Sequence, residues 1–143
     1  MLTTLAAPAF ADIWHIEDGD ITVKAGETGN DVTQKGTTTY GDTDTIITNS
    51  DKNTASSHTV TIEANDKDDK VEVTLKDVNI EATGGKAAVS VTGSGNTTIK
   101  LDGDNALKSD SSRSGIYGSG SLTITGGEND SLTAQGGSGA NGI

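Results

Sequence analysis

In the second half of the chain, apolar and polar residues alternate in short bursts. Val71-Glu72-Val73-Thr74-Leu75, Ile99-Lys100-Leu101 and Leu122-Thr123-Ile124 place an apolar side chain at every second position, the period of a strand with one buried face. Between the bursts stand Thr83-Gly84-Gly85, Asp102-Gly103-Asp104-Asn105 and Gly126-Gly127-Glu128-Asn129-Asp130. Gly, Asn and Asp tolerate the left-handed backbone that sharp corners require. The pattern predicts short strands separated by tight corners.

The bursts also repeat. Gly93-Ser94-Gly95-Asn96-Thr97-Thr98-Ile99 returns as Gly118-Ser119-Gly120-Ser121-Leu122-Thr123-Ile124. Three columns of apolar residues keep nearly the same step: Val73, Ile99, Ile124; Ile80, Leu107, Leu132; and Val89, Ile116, Ile143. A β-sandwich built from hairpins has no need of a fixed step. A coil that returns each residue onto its equivalent one rung above does need one. Leucine-rich repeats share the period but require a dense leucine consensus that is missing. The expected fold is therefore all-β, a right-handed parallel β-helix (a solenoid) of about 25–27 residues per rung. Each rung should hold about three strands and three corners, and residues 12–143 should form one domain of about five rungs. The first half fits less regularly, although Ile21 to Ile46 repeats the step. Residues 12–20 are read as an N-terminal cap, with Trp14 packed over the exposed end.

Composition agrees with a thin core. The 143 residues include 19 Gly, one Pro, one Met and 3% aromatics, too few bulky side chains for a thick globular interior. With 21 acidic and 10 basic residues the net charge is −11, which argues against nucleic acid and against an anionic membrane surface as partners. No apolar run is long enough for a membrane span. The absence of Cys removes disulfides, thiolate metal sites and cysteine nucleophiles.

Residues 1–11, MLTTLAAPAFA, end in Ala9-Phe10-Ala11, a small-x-small pattern that fits signal-peptidase cleavage. With no basic n-region before it, the segment is read as the residue of a signal peptide. The expected address is secreted or cell-surface. Ile143 falls on a core column within an unfinished unit, so the chain is expected to be a piece of a longer protein with further domains.

The order WHIEDGDITV, HTVTIEA, VTLKDVNIEA, GGKAAVSV, LDGDNALKS, GIYGSGSLTITG, SLTAQGGSGANGI resembles secreted bacterial carbohydrate-binding β-helix proteins and, more broadly, the pectate-lyase-like right-handed β-helices. The resemblance covers most of residues 14–143 and rests on strand and corner patterns. It implies export, a parallel β-helix and, in some members, calcium-assisted binding of acidic polysaccharide. No binding residue of that family maps onto a position of this chain.

Candidate chemistry is sparse. Calcium takes six to eight oxygen ligands, and the densest carboxylates are Asp66, Asp68 and Asp69 in one group and Asp102 and Asp104 in another. Neither group matches an EF-hand loop, and both also read as solvated corners. Tyr117 follows the core residue Ile116, so it should face outward, where it can contact a sugar. A uronate polymer would be repelled by so acidic a surface unless calcium bridged the two. His15 and His58 cannot supply a three-histidine zinc site. Arg113, the only arginine, reads as a solvated corner. The expectation is a non-catalytic module that binds polysaccharide, an acidic glycan if calcium bridges it. The alternatives are a structural stalk or adhesin spacer, and the N-terminal part of a polysaccharide lyase.

Overall fold

A computed structural model describes residues 10–143, with side chains from Asp12 onward. The protein is a parallel β-solenoid of about 3 turns. The expected leader lies outside the described residues except for Phe10 and Ala11, whose backbone opens strand β1 (Phe10–His15).

Three stacks of parallel strands enclose one core. The first contains β2 (Ile21–Gly26), β5 (Val60–Glu63), β8 (Val89–Thr92) and β11 (Ile116–Gly118). The second contains β4 (Thr37–Thr48), β6 (Lys70–Lys76), β9 (Asn96–Asp102) and β12 (Ser121–Thr125), with β1 paired below β4. The third contains β7 (Asn79–Glu81), β10 (Asp104–Lys108) and β13 (Ser131–Gln135), and Ser56 bridges to Ile80 beneath it. Inward positions carry small β-branched or aliphatic side chains, as in Val71, Val73 and Leu75 of β6, all at most 1% exposed. Like residues stack: Val73 on Ile99 on Ile124, and Val89 on Ile116. The Ile116 N–H donates to the Gly142 carbonyl at 2.9 Å, as the Val89 N–H does to Gly115, so Ile143 continues that column.

The third expected column is displaced. Ile80 stacks on Leu107, but Leu107 meets Ala134, and Leu132 meets Asn105 instead. The cause lies in the corners. Gly126–Asp130 is longer than its counterpart at Gly103 below it, which pushes the next strand on by two residues and so leaves the inward face unchanged. An opposite change precedes it: Gly118 pairs with Val91, so Gly120 rather than Gly118 lies over Gly93. A shortened corner and a lengthened one nearly cancel within the repeat.

The Ile21 to Ile46 step is not a rung. Ile21 pairs with Val60 on one side and Gln34 on the other, whereas Ile46 pairs with Ile13 and Thr74. An antiparallel meander intervenes: β2 turns into β3 (Gly29–Gln34), and β3 turns into β4. Lys35 and Gly36 both have positive φ, 53° and 73°, the backbone of a tight two-residue hairpin. This insertion consumes residues that would otherwise form rungs, so the turns number about 3 rather than five. At the same end β1 and β3 cover the lower edges of the parallel stacks. Trp14 is half-buried against the core, and its indole N–H donates to Asp42 Oδ2 at 2.9 Å.

Candidate functional site

The first stack exposes its outer positions in one file. In β2, β5, β8 and β11, Ile21, Val60, Val89 and Ile116 turn inward, so the residues after them turn outward. Those residues are Thr22, Thr61, Ser90 and Tyr117, each paired in register with the next. Four hydroxyl-bearing side chains therefore climb the outside of the solenoid at about 4.8 Å per step. Tyr117 is 55% exposed at the top.

A cleft of about 380 Å³ follows this file. Its wall is formed by the corner before each strand: Asp20 and Thr59 low down, Gly85, Lys86 and Ala87 above them, and Arg113 at the top. Hydrogen bonds between turns set the corners. The Thr59 N–H donates to Asp20 Oδ1 at 2.8 Å, and the Gly85 N–H donates to Asp110 Oδ2 at 3.4 Å. Donation from the Ser111 N–H first, and from Gly85 second, holds the Asp110 carboxyl below its ordinary pKa.

Tyr117 thus stands beside the cleft with partners that sequence periodicity did not expose. Thr22 and Thr61 were hidden by the meander, which stretches the step between them. Arg113 shares the cleft with Lys86 although both belong to corners.

The expected calcium residues take a different place. The Asp66 N–H donates to Asp69 Oδ2 at 2.9 Å, and the Asp69 N–H donates back to the Asp66 carbonyl at 2.9 Å, a closed local turn beside exposed Asp68. Asp104 accepts the Ser131 hydroxyl at 2.8 Å from the turn above, and Asp102 is exposed next to it. Among the described residues no three His, Asp or Glu side chains converge to hold a metal ion. Asp104 instead lines a second cleft of about 370 Å³ on the third stack, with Lys52, Asn79 and Thr133.

The histidines serve the N-terminal end. His58 Nδ1 donates to the Ile16 carbonyl at 3.0 Å, and His15 Nδ1 shares a hydrogen bond with the Ser50 hydroxyl at 3.0 Å. Among the described residues no helix is long and apolar enough to cross a membrane. The chain matches no family model, no curated protein and no solved structure.

Proposed function

We propose that the protein is a non-catalytic, extracellular or cell-surface module that binds polysaccharide along the outer face of β2, β5, β8 and β11. The observation that carries this reading is the in-register file of Thr22, Thr61, Ser90 and Tyr117 within one cleft. Hydroxyls spaced by one rung match the recurring hydroxyls of an extended sugar chain lying along the solenoid axis. Tyr117 adds an apolar ring face on which a pyranose can rest. The leader-like Ala9-Phe10-Ala11 supports the address. Hydrolysis of a glycosidic bond ordinarily calls on two carboxylates, whereas among the described residues Asp20 is the one carboxylate lining the cleft, and it is engaged by Thr59.

A glycan array followed by calorimetry tests the reading. Tyr117→Ala and Ser90→Ala should each weaken the best ligand by about tenfold, the equivalent of about 1.4 kcal/mol. Absence of any bound glycan would favour the stalk, and release of an unsaturated, ultraviolet-absorbing product would replace the module by a lyase.

A further inference from the structure

The cleft holds two positive charges in a protein of net charge −11. Lys86 and Arg113 are not neighbours by accident of folding. The Val60 N–H donates to the Ala88 carbonyl, and the Val89 N–H donates to the Gly115 carbonyl. Val89 is paired with Ile116. Counting back through the same register puts Lys86 and Arg113 at equivalent positions of successive turns, and both line the cleft. Both are exposed. The ion pairs among the described residues join Lys100 to Glu72 and Lys108 to Glu81, so neither cleft cation takes part in one. The nearby Asp110 carboxylate is turned to the Ser111 and Gly85 N–H groups, and Asp20 is held at the lower end by Thr59.

We infer that the cleft recognises an anionic substituent on its sugar ligand directly, through Lys86 and Arg113, with no bridging metal ion. The inference rests on the polysaccharide reading and sharpens it. The guanidinium group offers a planar fork of donors to a carboxylate or ester sulfate, and the ammonium adds a point charge one rung below. The hydroxyl file beside them contacts the rest of the sugar. Among the described residues no carboxylates converge for calcium, and the cation pair makes such a bridge unnecessary. Local attraction of this kind overcomes the general acidity of the surface, because distant charges are screened beyond about 8 Å at physiological salt.

The test is calorimetry on the whole chain in EDTA, with an oligogalacturonate, a sulfated galacto-oligosaccharide and a neutral galacto-oligosaccharide of equal length. One of the anionic sugars should bind at least about tenfold more tightly than the neutral one, and whichever it is identifies the substituent. Lys86→Gln and Arg113→Gln should each weaken that ligand about fivefold and lower its preference over the neutral sugar. Lys76→Gln, in the second stack, should change neither. Anion binding that survives both cleft substitutions, or that vanishes in EDTA and returns with calcium, overturns the inference. Neutral and anionic sugars bound equally, with loss on Tyr117→Ala, would overturn it while the polysaccharide reading stands. Failure of all three sugars to bind would overturn both.

Discussion

Thr97 is the residue at which the core departs from its own chemistry. It lies between Val71 below and Leu122 above, is 1% exposed, and its hydroxyl has no hydrogen-bond partner among the described residues. Glu17 Oε1 near the N-terminal end also has no partner among the described residues, whereas the buried polar groups of Asp42 and Asn105 are satisfied. Asp42 accepts N–H groups from Asp12, Trp14 and Asp44, and Asn105 Oδ1 accepts the Val78 N–H at 2.8 Å. A buried hydroxyl without a partner keeps its desolvation penalty. Thr97→Val, which exchanges the hydroxyl for a methyl of similar size, should stabilise the fold by about 1 kcal/mol. The urea midpoint should rise at unchanged m-value; a fall would show that the hydroxyl is bonded in solution. Alternation along Thr97-Thr98-Ile99 already placed this residue on the inward face. Its lack of a partner depends on the two neighbouring turns, which local spacing does not describe.

At the scale of the element, the corners carry the specificity and the strands repeat. Gly93 has φ of 95°, and a Cβ there would run into the Ala64 carbonyl, with Asn65 Cα at 2.8 Å. Gly84 has φ of 71°, and a Cβ would meet nothing within 4 Å. Gly84→Ala should therefore cost only the left-handed backbone penalty, about 1 kcal/mol, whereas Gly93→Ala adds a clash between turns and should cost about 3 kcal/mol. Urea denaturation of the two variants checks this, and equal losses would mean that the Gly93 corner moves aside freely. The repeated Gly-Ser-Gly is legible in the sequence as a repeat. Its matching across turns was misread by two residues, because Gly120 and not Gly118 covers Gly93. A hairpin at Lys35-Gly36 was missed for a similar reason: the pair lacks the Asn-Gly or Asp-Gly signature, and its positive φ values emerge only with the meander in place.

For the whole molecule, the acidity has a structural use. Asp130 accepts the Gly127 N–H of its own corner at 2.7 Å and the Gly103 N–H of the turn below at 2.8 Å. Asp110 does the same with Ser111 and Gly85, and Asp77 accepts the Asp104 N–H from the turn above. Corner carboxylates thus tie one turn to the next. Donation from Gly127 first, then Gly103, lowers the pKa of Asp130; Ser111 and then Gly85 lower Asp110; the Thr54 hydroxyl and then the Asn53 N–H lower Asp51. A carboxyl whose folded pKa is depressed contributes stability above its unfolded pKa and loses it as pH falls through the folded value. Melting temperature followed from about pH 5 to about pH 2 should fall below the ordinary carboxylate range, and the fall should be shallower in a variant carrying Asp51→Asn, Asp110→Asn and Asp130→Asn. Parallel curves for the two proteins would remove these ties from the acid response.

Strand alternation, corner residues and a nearly constant step were enough to establish a stacked all-β coil, because burial in a solenoid repeats along the chain with the same short period that its side chains do. Tyr117 was legible for the same reason, as the neighbour of an inward isoleucine. The cleft was not. Thr22, Thr61, Ser90 and Tyr117 come from successive turns, the meander separates Thr22 from Thr61, and the step from Thr61 to Ser90 is longer than that from Ser90 to Tyr117. Only hydrogen bonding between turns converts those unequal counts into one file of hydroxyls beside two cations.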